Sequence, residues 1–304
     1  MSESSESRGA GRVILLGRPN AGKSTLMNHL LAEKVAIVSD KPQTTRSRIV
    51  GVLSEERGQV VFLDTPGIHK PQHRMNRRMV RSVSDALVEA DLIVVVVDST
   101  VRRRGVDERL VELVRGAQKK ALLALNKTDI CSKPKLLPMI EDWHATGLFE
   151  AIVPISALDG EGCDVVLDLI FERLPKGEPE FDEELLTPHS ERFLVAERIR
   201  EKLLELLREE LPFATAVVID DWQEPEGAAI RIAATILVER GGQKKIVIGR
   251  RGEMIKKIGT LARHDLIEYL GGPVHLDLHV KQETAWRENA RRLGELEREA
   301  QRLV

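Results

Sequence analysis

Residues 12–25 read RVILLGRPNAGKST, and this stretch decides the fold. The apolar run RVILLG has strand character, and TLMNHLL beyond the loop has helical character. Between them GRPNAGKS, from Gly17 to Ser24, fits G-x-x-x-x-G-K-[ST] in the strand-then-helix context that the motif requires. Its glycines let the backbone wrap phosphates so that amide N–H groups and a helix N-terminus face negative charge. In such a loop Lys23 reaches the β- and γ-phosphates and Ser24 ligates Mg²⁺. Arg18, Pro19, Asn20, Ala21, Gly22 and Thr25 line the same loop as expected nucleotide contacts.

Working outward, the runs QVVFLDT (59–65), LIVVVVDS (92–99), ALLALNK (121–127) and AIVPISA (151–157) are also continuously apolar. Strands buried on both faces have that composition, so residues 11–174 are expected to form an α/β domain: a mostly parallel sheet with helices on both faces. Each run ends in polar or glycine-rich residues, where open α/β sheets collect ligands.

Three of those ends complete a nucleotide site. DTPG (64–67) supplies Asp64, which can hold Mg²⁺ through water, then Thr65 and Pro66, and a Gly67 N–H that can sense a γ-phosphate. NKTD (126–129) supplies Asn126 and Lys127 to frame a base, and Asp129, whose carboxylate accepts both N–H donors of guanine, at N1 and N2. Adenine lacks that pair and would leave the charge unpaired. SAL (156–158), with Ser156, Ala157 and Leu158, brings the Ala157 N–H to guanine O6. In this order the motifs specify a guanine-nucleotide-binding P-loop domain.

KPQTTRSR (41–48) resembles the first switch of translation-factor-like P-loop GTPases, in which a threonine completes the Mg²⁺ shell when the γ-phosphate is present. Thr45 is the expected residue, with Thr44 beside it as the alternative. Many small GTPases follow D-x-x-G with a glutamine that orients the attacking water; here Ile68 stands there and cannot polarise water. No residue is therefore assigned as a catalytic base. Lys23, Thr45 and Gly67 are expected to support the transition state. Asn20 resembles the P-loop asparagine of potassium-stimulated GTPases, in which K⁺ lies between the β- and γ-phosphates. Otherwise Asn20 only satisfies backbone groups of its loop. His69 and the basic run 73–81 are read as part of the second switch and a solvated helix face.

Residues 175–190, PKGEPEFDEELLTPHS, carry three prolines and an acidic cluster without periodicity, which marks a linker. Beyond it RFLVAERIREKLLELLREELP reads as an amphipathic helix ended by Pro212, then come strands at 213–220 and 229–239. A helix at 253–270, a strand at 274–280 and a closing helix bearing Trp286, Leu293, Leu296 and Leu303 follow. Between them, residues 240–257 hold seven basic residues against Glu253 alone, in a chain whose net charge is -2. Gly249 and Gly252 bracket Arg250 and Arg251 in I-G-x-x-G-x-x-I, a turn that lets a nucleic-acid backbone approach and that KH modules use to clamp single strands. Lys244, Lys245, Lys256 and Lys257 add local charge, and Ile246 and Ile248 offer an apolar floor for bases. The run KKIVIG has strand propensity, whereas a KH module needs a short helix there.

The 304 residues are 42% hydrophobic, enough for one large domain or two medium ones. Neither cysteine, Cys131 or Cys163, has metal-ligand spacing, so free thiols in a reducing compartment are expected. The longest apolar run is far too short to span a bilayer. The start, MSESSESRGAG, is polar and acidic and reads as a disordered tail over residues 1–10, so a cytoplasmic protein is expected.

GRPNAGKSTLMN, KPQTTRSRIVGV, FLDTPGIHKP, NKTD and ISAL, together with ERGGQKKIVIGRRGEMIKKIGTLAR and VHLDLHVKQETAWREN, resemble the Era family of bacterial GTPases over roughly residues 11–290. The resemblance implies an α+β type II KH domain at 191–304, binding of the 3′ end of 16S ribosomal RNA, and a GTP-controlled role in 30S subunit maturation. It implies GTP and GDP as ligands, with Mg²⁺ and K⁺, in a monomer. Peripheral association with the membrane rests on the family alone. The competing reading is an RNA-binding scaffold that uses GTP structurally and barely turns it over.

Overall fold

A computed structural model describes residues 8–68, 73–101 and 106–301. Leu303, His69 and residues 1–7 of the expected tail lie outside the described residues. The chain divides into two compact units: residues 1–36, 45–70 and 78–188, and residues 37–44, 71–77 and 189–304.

The first unit contains β1 (Gly9–Gly17), α1 (Lys23–Leu31), β2 (Ile49–Glu55), β3 (Gly58–Asp64), most of α2 (Arg74–Glu89) and β4 (Leu92–Asp98). After these come α3 (Glu108–Ala117), β5 (Lys120–Asn126), α4 (Lys133–His144), β6 (Ala151–Pro154) and α5 (Cys163–Phe171). The sheet order is β2-β3-β1-β4-β5-β6, parallel throughout except for antiparallel β2. Val13, Ile14, Leu15 and Leu16 of β1 and all of Leu92–Val96 of β4 are fully enclosed, as their unbroken apolar sequence requires. Each such side chain stabilises the fold by roughly 1.5–3 kcal/mol. β1 starts at Gly9, inside the expected tail, because Gly9 and Ala10 pair with Gly58 and Gln59.

The segment that reads as a linker is tied into this unit. The buried Gln59 side chain donates to Phe181 C=O (2.8 Å) and accepts from the amides of Glu180 and Phe181 (2.8 and 3.0 Å). Leu186 C=O accepts from Val52 N–H at 2.8 Å, and Thr187 Oγ1 donates to Val50 C=O at 2.6 Å. Buried Cys163 has its thiol pushed up to about 11 by desolvation, so it stays protonated and unreactive.

The second unit contains α6 (Glu191–Leu206), α7 (Leu211–Ala214), β7 (Ala216–Gln223), β8 (Ile230–Val238), α8 (Gly241–Ile248), α9 (Glu253–Leu270), β9 (Val274–Gln282) and α10 (Ala290–Gln301). The sheet order is β7-β8-β9, with β7 antiparallel and β9 parallel to β8. Val195, Ile199 and Leu203 of α6 and Ile258, Ala262 and Leu266 of α9 share one core with Ile232, Ala234 and Ile236 of β8.

Two expectations are corrected, and one conflict is resolved. α6 stops at Leu206, not Pro212: Leu207 turns extended to bury its side chain in the core, and Pro212 instead sits in the first turn of α7, where its missing N–H costs nothing. Trp286 precedes α10 rather than riding on it; it is fully buried and donates Nε1–H to Ala214 C=O at 3.0 Å. KKIVIG is helical. Val247 is driven into the core at 0% exposure, and Gln243 Oε1 accepts from the amides of Glu239 and Arg240, so tertiary packing and a helix-start bond override strand propensity. Among the described residues no helix is long and apolar enough to cross a membrane.

Candidate nucleotide site and RNA interface

The loop after β1 is shaped by close approaches. A Cβ at Gly17 would lie 2.4 Å from Val96 C=O. Gly22 has φ 96°, and a Cβ there would lie 2.1 Å from Asn126 Nδ2. Asn20 adopts φ 62°, a left-handed conformation that asparagine tolerates better than most residues. Gly67 is needed for a related reason: a Cβ there would meet the Pro19 backbone nitrogen at 2.4 Å. The next amide, Ile68 N–H, donates to Gly17 C=O at 3.1 Å, while the Ile68 side chain packs against the apolar core.

Three oxygens converge beside this loop. Ser24 Oγ donates to Asp64 Oδ2 at 2.6 Å, Thr45 Oγ1 donates to the same oxygen at 3.2 Å, and the two hydroxyls lie 3.1 Å apart. Asp64 is fully buried and its Oδ1 has no hydrogen-bond partner. Burial raises its pKa, opposed by the nearby Lys23 charge and the hydroxyl bonds. Lys23, also buried, has its pKa lowered by desolvation, with Asp64 opposing; its Nζ lies 3.2 Å from Arg18 C=O. A hard oxygen set with an orphaned buried carboxylate oxygen next to a phosphate loop suits Mg²⁺. The Thr44 hydroxyl donates instead to Lys41 C=O at 2.7 Å. Of the two threonines, Thr45 is the one brought to Ser24 and Asp64.

The residues expected to recognise the base are assembled by a second network. Asn126 donates Nδ2–H to Ala21 C=O (2.8 Å), and its Oδ1 accepts the Ala157 N–H (2.9 Å). Asn126 thus ties the phosphate loop to the SAL loop rather than simply framing a base. The Ala157 N–H, expected to face guanine O6, is already engaged and must share or exchange that bond. Asp129 is exposed and oriented by Ser156 Oγ, which donates to its Oδ1 at 2.9 Å. Lys127 Nζ donates to Asp98 Oδ2 at 2.6 Å. Burial alone would raise the Asp98 pKa, but the bonds from Lys127 and Thr100 hold it below the usual carboxylate range.

Other expected contacts sit differently. The Thr65 hydroxyl donates to Leu15 C=O at 2.9 Å and is fully buried, so this side chain serves the β1–β3 packing. Leu158 is exposed. Arg18 pairs with Asp107, the N-cap of α3, a link no motif announces. Asp98 was missed too, although a carboxylate ending the LIVVVVD run was a visible signal.

In the second unit the G-x-x-G turn joins α8 to α9. Gly249 has φ 76° and ψ 173°, Arg251 has φ 52°, and Gly252 has φ 79°. Arg250, Arg251, Lys245, Lys256 and Lys257 are exposed and Lys244 is half-buried. Of the two isoleucines expected to floor the bases, Ile246 is 54% exposed, whereas Ile248 packs partly against the core.

The fold and these sites agree with known proteins. Residues 12–127 match the family of 50S ribosome-binding GTPases, and residues 210–287 match the KH domain. Together they define a P-loop GTPase with a C-terminal KH domain. The chain is 43% identical over 288 residues to the GTPase Era of Geobacter metallireducens, covering 94% of this chain and 97% of that protein. It is 44% identical over 289 residues to that of Trichlorobacter lovleyi, at 94% and 97% coverage. Among solved structures, Era bound to MgGDPNP and nucleotides 1506–1542 of 16S ribosomal RNA superposes with a TM-score of 0.90 at 37% identity, covering 98% of this chain and 100% of that one. An Aquifex aeolicus Era variant bound to GDP·AlF₄⁻ gives the same TM-score at 38% identity, with 97% and 100% coverage. The chain belongs to the Era family of GTPases.

Proposed function

We propose that this GTPase binds GTP with Mg²⁺ and hydrolyses it slowly. We propose further that it uses the nucleotide state to control its hold on the 3′ end of 16S ribosomal RNA during assembly of the small ribosomal subunit. The observation that carries the reading is the meeting of Ser24 Oγ, Thr45 Oγ1 and Asp64 Oδ2 within 3.2 Å of one another. The RNA half is supported by the basic turn at Gly249–Gly252 and by the RNA held in the Era structure at 37% identity.

Ser24 and Thr45 would ligate Mg²⁺ directly and Asp64 would hold it through water. The chemistry Mg²⁺ supplies is neutralisation of charge shared by the β- and γ-phosphates. Lys23 and the loop amides bind and orient those phosphates, and Asp129, steadied by Ser156, selects guanine. Ile68 has no polar side-chain atom and lies against the core, so it does not position the attacking water. Asn20 is proposed to ligate K⁺, whose fixed charge offsets what develops in the transition state. The expected result is faster single-turnover phosphate release in K⁺ than in Na⁺ at matched ionic strength. Equal rates would remove the K⁺ assignment, and no release even with RNA and K⁺ would favour the scaffold reading.

Thr45 and Thr44 separate the sensing hydroxyl from its neighbour. Thr45→Ala should weaken binding of a non-hydrolysable GTP analogue by about 1.5–3 kcal/mol, roughly ten- to hundredfold, and leave GDP binding unchanged. Thr44→Ala removes only the bond to Lys41 and should cost both nucleotides little. Titration of fluorescent nucleotides measures this, and equal effects at both positions would contradict it.

A further inference from the structure

Two adjacent residues of α6 grip both ends of residues 38–44. Glu201 Oε1 accepts the Val38 N–H at 3.0 Å, and Arg200 Nη2 donates to Thr44 C=O. Arg200 is only 2% exposed. Its Nε and Nη2 also donate to the two carboxylate oxygens of Glu197, at 2.7 and 2.5 Å, and its Nη1 is buried without a hydrogen-bond partner. Burying a guanidinium whose donors are incompletely satisfied is costly, and an apolar side chain of similar volume would fill the space more cheaply. The bond to Thr44 gives the arginine a purpose. A peptide group is planar, so fixing the Thr44 carbonyl fixes the direction in which the chain enters Thr45. Thr45 is the residue whose hydroxyl stands 3.2 Å from Asp64 Oδ2.

The same helix leads to the RNA-facing turn. Arg198, two residues before Arg200, donates to both oxygens of Asp265 at 3.3 Å, and its guanidinium lies 4.0 Å from the centroid of Tyr269. Asp265 and Tyr269 belong to α9, the helix that the G-x-x-G turn opens. We propose that Arg200 is a positioning residue through which the KH-bearing unit reads the nucleotide: it holds the Thr44–Thr45 peptide in the arrangement that completes the Mg²⁺ site. Through that hold RNA affinity follows the γ-phosphate. The inference rests on the proposed GTP-dependent hold on RNA and names the residue that transmits it. By linkage, RNA tightens binding of the GTP form by the same factor.

The test measures RNA binding by the full chain, with a labelled single-stranded oligonucleotide matching the 3′ end of 16S ribosomal RNA, in GDP and in a non-hydrolysable GTP analogue. Wild type, Arg200→Met and Arg200→Lys are compared, with thermal melting to establish that each is folded. In wild type the analogue should tighten RNA binding by about fivefold or more, within the usual range of coupling between sites. In Arg200→Met that ratio should collapse to about one, and Arg200→Lys, which keeps the charge and a donor, should restore part of it. A merely structural role would lower RNA affinity equally with both nucleotides and leave the ratio intact. That outcome overturns the assignment of Arg200 while the switch stands. A wild type with no nucleotide dependence overturns the switch and Arg200 with it. Should Arg200→Met fail to fold, an unchanged ratio in a folded Arg200→Lys overturns the assignment on its own.

Discussion

Asp129→Asn is expected to weaken GTP binding by about 3–6 kcal/mol, roughly 10²- to 10⁴-fold, and to improve binding of xanthosine triphosphate. The carboxylate is expected to accept from both N–H groups on one edge of guanine, and each charge-assisted bond contributes about 1.5–3 kcal/mol. An amide offers one acceptor and one donor, so it leaves one guanine N–H facing its own NH₂; a base with a carbonyl at that carbon matches it instead. Ser156 Oγ, 2.9 Å from Asp129 Oδ1, holds either side chain in place, so the loss reads out recognition and not misfolding. Nucleotide affinity by displacement of a fluorescent analogue checks this, with melting temperature as the control. A variant that kept GTP and ignored the xanthine nucleotide would place base selection elsewhere.

Gly249→Asp with Gly252→Asp is expected to abolish RNA binding, at a loss of about a hundredfold or more, while hydrolysis without RNA is retained. The two glycines fail for different reasons, which the single variants separate. At Gly249 a Cβ would lie 2.7 Å from both the Met254 amide nitrogen and Cβ, in a backbone region with φ 76° and ψ 173° that only glycine adopts readily. At Gly252 nothing lies within 4 Å of a Cβ, and φ 79° is one that aspartate tolerates. Gly249→Asp should therefore lower the melting temperature as well as RNA affinity. Gly252→Asp should act through charge alone, and added salt should shrink its effect. Equal melting and equal RNA loss for both would contradict this division.

Much of the fold was legible because buried parallel strands are written as unbroken apolar runs. Each of β1, β3, β4 and β5 lies where such a run predicts it, and the motif at each strand end lies where loops gather over the sheet. β2 was not read as a strand. IVGVLSE is an edge strand with a glycine and a polar end, and its pairing depends on a partner, β3, that local sequence does not reveal. α8 contradicted its own propensity because Val247 is drawn into a core built by distant residues. The candidate phosphate and metal residues could be named from sequence because they stand in contiguous motifs. The double tie made by Asn126 and the grip of Arg200 on Thr44 depend on which atoms meet across more than a hundred residues or on one rotamer. No spacing encodes those.

The central claim is that the nucleotide in the first unit sets RNA affinity in the second. Fluorescence anisotropy of a labelled oligonucleotide matching the 3′ end of 16S ribosomal RNA, titrated with the full chain in GDP and then in a non-hydrolysable GTP analogue, tests it most directly. Tighter binding with the analogue, lost in the Gly249→Asp/Gly252→Asp variant, is the predicted result. Affinity that is the same with both nucleotides would contradict the claim and leave two modules that share a chain without sharing a switch.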